Sequence, residues 1–181
     1  QKINTWEILS QGTAIRENYK LGVSQSNTYR SISGSQDNGS SIKHKDTWIE
    51  FYGADGMEGL IHPLNHDWMI SSLQNGSRRR TKDGGISGNG ITCQNGAWEA
   101  PITYDPNDQM RIYDFGADIY VSEDFGSNWI YQGSPFTSYI NQSAIAENNS
   151  DIILVSSGGV IKKSIDGGIN FSDISNNLPG D

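Results

Sequence analysis

The apolar positions of this chain fall in short, alternating runs, and none repeats with the 3.6-residue period of an amphipathic helix. Four runs, Thr28-Tyr29-Arg30-Ser31-Ile32, Trp68-Met69-Ile70, Met110-Arg111-Ile112-Tyr113 and Ile152-Ile153-Leu154-Val155, are rich in β-branched and aromatic residues and predict strands. A cluster of turn formers precedes each: Ser24-Gln25-Ser26-Asn27, His62-Pro63-Leu64-Asn65, Asp105-Pro106-Asn107-Asp108 and Glu147-Asn148-Asn149-Ser150. Their second residues, at 25, 63, 106 and 148, lie 38, 43 and 42 positions apart. A glycine-bearing turn follows each run, then a second short strand such as Ile119-Tyr120-Val121 or Val160-Ile161-Lys162.

A second motif keeps step with this pattern. Ser122-Glu123-Asp124-Phe125-Gly126-Ser127-Asn128-Trp129 returns as Ser164-Ile165-Asp166-Gly167-Gly168-Ile169-Asn170-Phe171, with the aspartates 42 positions apart. Thr81-Lys82-Asp83-Gly84-Gly85 is a partial copy 41 positions before the first. A carboxylate in such a bend accepts hydrogen bonds from its own backbone, glycine allows the positive φ, and the aromatic packs back between hairpins. Asp124, Gly126 and Trp129 fill these roles, as do Asp166, Gly168 and Phe171; Asp83 and Gly85 supply the first two. Repeats of about forty residues built from short strands are the mark of propeller blades. The predicted fold is an all-β partial propeller of about four blades, each of four antiparallel strands, over residues 12–50, 51–92, 93–133 and 134–175. In the first repeat Asp46 takes the motif position without its glycines, and Asp37 belongs to the preceding turn. Trp6-Glu7-Ile8-Leu9-Ser10 resembles the strand after a motif, and Asn177-Leu178-Pro179-Gly180-Asp181 falls where another blade would begin. The chain is therefore expected to be part of a larger propeller.

Composition narrows the classes. At 181 residues and 34% hydrophobic content, one domain with a substantial core is expected. A net charge of −8 argues against a phosphate-backbone binder, so no nucleic-acid partner is predicted. Arg78-Arg79-Arg80 with Lys82 breaks that trend and is read as a solvated hairpin edge. Cys93 stands alone, which excludes an internal disulfide. No apolar stretch approaches the ~20 residues of a membrane helix, and no signal peptide is visible; the start at Gln1 reads as a processing site or a cut.

The motifs resemble those of the Asp-box (BNR) propeller superfamily, which includes sialidases, xyloglucan-active glycosidases, sortilin-type receptors and photosystem assembly factors. The nearer similarity is to sortilin/glycosidase-like propellers of large secreted bacterial proteins, many exported by type IX secretion. It rests on Gly34-Ser35-Gln36-Asp37-Asn38-Gly39, Gly53-Ala54-Asp55-Gly56, Trp98-Glu99-Ala100-Pro101 and Asn177-Leu178-Pro179. It implies a secreted or cell-surface setting. No arginine cluster matches the sialidase pattern, and the cysteine-rich module of sortilin-type receptors is absent.

Chemistry is sought where the repeat is irregular. Asp37 and Asp55 sit in glycine-flanked loops, with Trp48 between them and Trp98 further on. Tryptophan faces stack on sugar rings, and propeller ligands bind among loops at the channel mouth, so Asp37, Asn38, Trp48, Asp55 and Trp98 are the candidate ligand contacts. The function read from them is a non-catalytic binding or scaffolding module that contacts carbohydrate or protein. The alternative is a glycoside hydrolase in which Asp37 and Asp55 act as acid and base, ~5–5.5 Å apart for retention or ~6.5–9.5 Å for inversion. The Asp-x-Gly portion of Asp37-Asn38-Gly39 is similar to a catalytic loop of the xyloglucan-active enzymes. His62, His66 and Asp67 have a metal-like spacing but read better as a turn. No cofactor is predicted, and loop calcium stays open because no EF-hand spacing occurs. Asn-x-Ser triplets at Asn38, Asn75, Asn141, Asn148 and Asn170 read as chance in an Asn- and Ser-rich bacterial chain.

Overall fold

Sixteen strands in chain order form four antiparallel meanders in a computed structural model that describes residues 16–176. Blade 1 holds β1 (Asn18–Val23), β2 (Arg30–Ser35), β3 (Gly39–His44) and β4 (Thr47–Tyr52). Blade 2 holds β5 (Gly56–Ile61), β6 (Met69–Leu73), β7 (Arg78–Thr81) and β8 (Asn89–Gly90). Blade 3 holds β9 (Ile102–Tyr104), β10 (Ile112–Phe115), β11 (Ile119–Ser122) and β12 (Ile130–Gly133). Blade 4 holds β13 (Gln142–Ala146), β14 (Asn149–Ser157), β15 (Val160–Ser164) and β16 (Ser172–Asp173). This is a partial propeller of four four-stranded blades. The terminal segments Trp6–Ser10 and Asn177–Asp181 lie outside the described residues. Among those described, no helix is long and apolar enough to cross a membrane.

A sheet with two apolar faces must bury both, and here each blade uses its neighbour. Ile32, Ile42 and Phe51 of blade 1 meet Ile61 and Met69 of blade 2. Leu60 and Ile70 of blade 2 meet Ile102, Ile112 and Phe125 of blade 3. Tyr113, Phe115, Ile119 and Val121 of blade 3 meet Ile140, Ile153 and Val155 of blade 4. Blades 1 and 2 approach so closely that a Cβ on Gly34 would lie 1.9 Å from the Met57 carbonyl oxygen, and one on Gly22 2.3 Å from that of Gly59. Only glycine fits at either point.

Between the third and fourth strands of blades 2, 3 and 4 lies the aspartate turn. The Asp124 Oδ1 accepts from the backbone N–H groups of Ser127 and Asn128, each at 2.8 Å, and from the Ser122 hydroxyl; Oδ2 accepts from Asn128 Nδ2 at 2.6 Å. Asp166 repeats this with Ser164 and Asn170, and Asp83 with Thr81 and Ser87. The leading hydroxyl works as well: Thr81, Ser122 and Ser164 accept from Gly85, Gly126 and Gly168, whose φ angles are +97°, +81° and +95°. Trp129 packs on the core between blades 2 and 3 and donates its Nε1–H to the Ile91 carbonyl at 2.9 Å, while Phe171 packs on the core between blades 3 and 4. Where the other turns have Gly84 and Gly167, blade 3 has Phe125, which accepts a left-handed backbone and sends a fully buried ring into the inter-blade core. In blade 1, Asp46 also lies between the third and fourth strands, but the turn has shrunk to Lys45 and Asp46.

The arginine run corrects the expectation of a solvated edge. Arg78 is fully buried, and its Nε donates at 3.0 Å to the buried Asp114 of blade 3. Its Nη2 reaches the Ala100 and Pro101 carbonyls at 2.9 and 3.2 Å. Arg79 lies over the Phe51 ring at 5.1 Å, and Arg80 donates to the Phe125 carbonyl and the Ser127 hydroxyl. The run is an inter-blade strand whose partners lie on other blades. Charge composition alone could not show that.

Two predictions follow from these contacts. Replacing Arg78 with Ala strands the Asp114 carboxylate in the core and should cost about 3–5 kcal/mol in urea denaturation. The double variant Arg78→Met/Asp114→Leu should recover most of that loss; equal stability of Arg78→Ala and wild type would contradict the account. The aspartate turns add an acid-sensitive term. Hydrogen bonds from Ser87 hold the Asp83 carboxyl at about 2, and those from Asn170 do the same for Asp166. At Asp124, slight burial works upward, but Asn128, Ser122 and Ser127 outweigh it and also hold the group at about 2. These folded-state values lie below the ordinary 3.8, so the stabilisation is full above that pH and disappears as pH falls toward about 2. Tm should therefore drop through that window, and less steeply in Asp124→Asn. An unchanged slope in the variant would count against the turn as its source.

Candidate functional site

In a meander, alternate connections emerge at opposite ends of the sheet. The aspartate turns share one end with the first-to-second-strand turns: Gly84, Phe125 and Gly167 donate their N–H groups to the Asp67, Met110 and Asp151 carbonyls. At that end Ser24, His62 and Asp105 cap their own turns. The His62 Nδ1 accepts from the Leu64 and Asn65 N–H groups at 3.2 and 3.1 Å, and burial lowers the imidazole pKa, which keeps this nitrogen an acceptor. His62 thus occupies a turn-capping position. Among the described residues no group of three His, Cys, Asp or Glu side chains is placed to hold a metal.

The opposite end carries the second-to-third-strand turns and the long connections between blades. Asp37 and Asp55 meet there: the Asp37 N–H donates to Asp55 Oδ1 at 2.8 Å, and the Gly39 N–H donates to the Ala54 carbonyl at 2.7 Å. Asp37 and Ala54 both hold left-handed backbones, at φ +54° and +64°, a conformation uncommon in residues with a Cβ. Asn38 folds its Nδ2 onto the Gln36 carbonyl at 2.8 Å. Among the described residues the Asp37 carboxylate makes no hydrogen bond. One Asp55 oxygen is engaged by its neighbour's backbone, so the two acids form a backbone clamp.

Trp98 belongs to the same end. It lies on the β8–β9 connection, residues 91–101, with its carbonyl accepting from the Asn75 N–H at 3.2 Å. Asn75 occupies in blade 2 the turn that Asp37 occupies in blade 1, with the same left-handed backbone, φ +61°. The Trp98 ring is 51% exposed, and its Nε1–H points to the Tyr19 hydroxyl at 3.5 Å. Tyr19 in turn reaches Gln36 Oε1 at 3.4 Å. Trp48 is not part of this group. It lies on β4 opposite Lys43, beside the Lys45–Asp46 turn and hence at the aspartate-turn end, with the Lys43 Nζ 5.7 Å from its ring centroid. The sequence separates Trp48 from Asp55 by only seven positions, but most of one strand length divides the two ends.

A charged cluster that the sequence reading missed adjoins Trp98 and Tyr19. Lys20 Nζ lies 3.3 Å from Glu99 Oε1 and 3.9 Å from Glu58 Oε1. Burial raises the Glu58 carboxyl pKa, with Lys20 pulling it the other way. A signal for this cluster was available: positions 20, 58 and 99 are 38 and 41 apart, close to the blade period. Inner strands bring equivalent positions of successive blades side by side. Deeper in, Gln94 Nε2 donates to Asp114 Oδ1 at 3.0 Å, and burial and the Asp114 charge push the nearby Cys93 thiol up to about 12, which leaves it unreactive.

Chemically, this end offers an exposed indole edged by a phenol, a free carboxylate at Asp37 and neighbouring amides. That set suits stacking on a ring and hydrogen bonding to its hydroxyls. For a hydrolytic pair, both carboxylates would have to face the bond to be broken, and Asp55 turns one oxygen to the Asp37 backbone.

No protein-family model matches this chain, and no curated protein matches it. Among solved structures it is similar to the GH74 xyloglucanase from Xanthomonas campestris (10% identity, 91% of this chain and 31% of that one, TM-score 0.71). It is also similar to the GH74 enzyme of Niastella koreensis (13% identity, 88% of this chain and 24% of that one, TM-score 0.69) and to YCF48 from Cyanidioschyzon merolae (14% identity, 90% of this chain and 57% of that one, TM-score 0.59). The chain spans less than a third of the GH74 proteins it matches. At these identities the likeness is one of fold, a β-propeller.

The clamp makes a prediction of its own. Asp55→Ala removes the cap on a strained turn and should cost about 1 kcal/mol in urea denaturation, whereas Asp37→Asn should stay within about 0.5 kcal/mol of wild type. Equal effects of the two substitutions would contradict this division of roles.

Proposed function

We propose that this chain is a carbohydrate-binding propeller module, and that its loop end holds a glucan chain with Trp98 as the stacking platform. The observation that carries the proposal is the half-exposed Trp98 ring, held by its backbone and by Tyr19 beside the Asp37–Asp55 clamp. An aromatic platform edged by a carboxylate and amides meets both faces of a pyranose, the C–H face and the hydroxyl rim. Xyloglucan is the polysaccharide to try first, because the GH74 neighbour from Xanthomonas campestris is named as a xyloglucanase. Binding is favoured over hydrolysis because Asp55 is engaged in capping. The proposed setting is outside the cell, where such polysaccharides are met.

The same reading gives the chain further blades as neighbours. Leu21 and Val23 on β1 face away from blade 2, at 62% and 63% exposure, and Leu154 faces away from the core between blades 3 and 4. Faces of this kind are what inter-blade packing covers in the three interfaces described.

Calorimetric titration with xyloglucan oligosaccharides tests the function. Wild type should bind without releasing reducing ends, and Trp98→Ala should weaken binding at least about tenfold, the loss expected when a central aromatic anchor is truncated. Release of reducing ends that disappears in Asp37→Asn would instead establish the hydrolase. The absence of binding to this and other soluble β-glucans would end the proposal.

A further inference from the structure

One blade further round the same end, a hollow of about 550 Å³ opens between the β10–β11 turn and the β12–β13 connection, residues 134–141. Its lining includes Asp118, Phe136, Thr137 and Tyr139, with Ser134 and Ser138 at its sides. From these contacts we infer a second pyranose-binding subsite, with Tyr139 as its platform and Asp118 as its hydroxyl acceptor. The inference rests on the glycan-binding reading and extends it: the module holds the interior of a long chain at two points.

The hollow is preformed. Ile140 is fully buried in the core between blades 3 and 4, and its N–H donates to the Gly116 carbonyl at 2.9 Å. The Ser157 hydroxyl donates to the Tyr139 carbonyl at 2.7 Å and lies 2.6 Å from the Ser138 hydroxyl. Lys162 Nζ donates to the Pro135 carbonyl at 2.6 Å and covers the Phe136 ring at 4.9 Å. Phe136 is therefore a wall with one face already occupied. Tyr139 is 46% exposed, with its backbone tied down through its carbonyl.

Across the hollow, Asp118 is clamped through its backbone. Its N–H donates to Gln94 Oε1 at 2.9 Å, and its carbonyl accepts from Gln94 Nε2 at 3.1 Å. Among the described residues its carboxylate makes no hydrogen bond. The Ser134 and Ser138 hydroxyls beside it already donate, to the Phe136 carbonyl and the Ser157 hydroxyl, and can accept from a sugar. An aromatic platform and a carboxylate acceptor repeat the chemistry found at Trp98 and Asp37, built from different residues.

The two places are joined by one segment. Residues 91–101 contact the Asn75 turn through Trp98 and Gly96, and the blade 3 turn through Asn95, whose carbonyl accepts from the Ala117 N–H at 3.0 Å. On this proposal a glucan leaving Trp98 follows this segment toward Tyr139. Its second contact is then intramolecular, so affinity rises with chain length without any change in the first contact.

The test is a length series of xyloglucan oligosaccharides titrated into the full chain as wild type, Trp98→Ala, Tyr139→Ala and Asp118→Asn. Wild-type affinity should rise with length by about tenfold or more. Tyr139→Ala should erase that gain while leaving the shortest binding oligosaccharide almost unaffected. Asp118→Asn, which keeps the volume of the side chain, should reduce the gain in the same sense and serves as the readout if Tyr139→Ala does not fold. A full length-dependent gain in both variants, with binding still lost in Trp98→Ala, overturns the second subsite and leaves the first intact. A wild type that binds no oligosaccharide of any length overturns both.

Discussion

The ion pair between Arg78 and Asp114 holds together the loop end of this molecule that carries the candidate ligand contacts. Both side chains are removed from water, which is costly for each alone; the partner and three further groups offset that cost, while Arg78 Nη1 has no partner among the described residues. Asp114 accepts from Arg78 and Gln94, and Arg78 also donates to the Ala100 and Pro101 carbonyls. Gln94 and Ala100–Pro101 lie toward the two ends of the connection that carries Trp98. A long segment without regular structure is thus tied near both ends to one buried charge pair, and blade 2 is tied to blade 3 by the same bonds. Burial still pushes the Asp114 carboxyl up despite the guanidinium.

Around that pair, the labour is divided between the two ends of the sheets. The aspartate turns close on themselves: each carboxylate, leading hydroxyl and closing Asn or Ser satisfies its own bend within seven residues, and Arg80 adds bonds from blade 2 to the blade 3 turn. The opposite end is built from contacts between blades, and among the described residues the Asp37 and Asp118 carboxylates make no hydrogen bond there while Trp98 and Tyr139 are about half exposed.

What the sequence made legible follows from the same division. The turn motif and the near-forty-residue spacing are local or periodic, and the sheets number four, as the repeats predict. Asp37 and Asp55 were singled out as loop acids, and the two loops do touch, because Gly39 and Ala54 join the connection to the turn. The arginine run was misread because its partners, Asp114 and the Ala100–Pro101 carbonyls, lie on another blade and its approach. Trp48 was grouped with Asp55 because proximity in sequence does not say which end of a strand a residue occupies. Lys20, Glu58 and Glu99 were missed although they recur at nearly the blade period, since only the folding of β1, β5 and the β8–β9 connection side by side makes three charges neighbours.

The central claim is that the buried pair holds the Trp98 segment, and hydrogen–deuterium exchange on Arg78→Lys examines it directly. Lysine keeps the charge opposite Asp114 but lacks the fork that reaches the Ala100 and Pro101 carbonyls. The account predicts faster exchange across residues 91–101, with the aspartate turns at residues 122–128 and 164–170 as protected as in wild type. Unchanged protection of residues 91–101, or loosening spread evenly over all four blades, would contradict it.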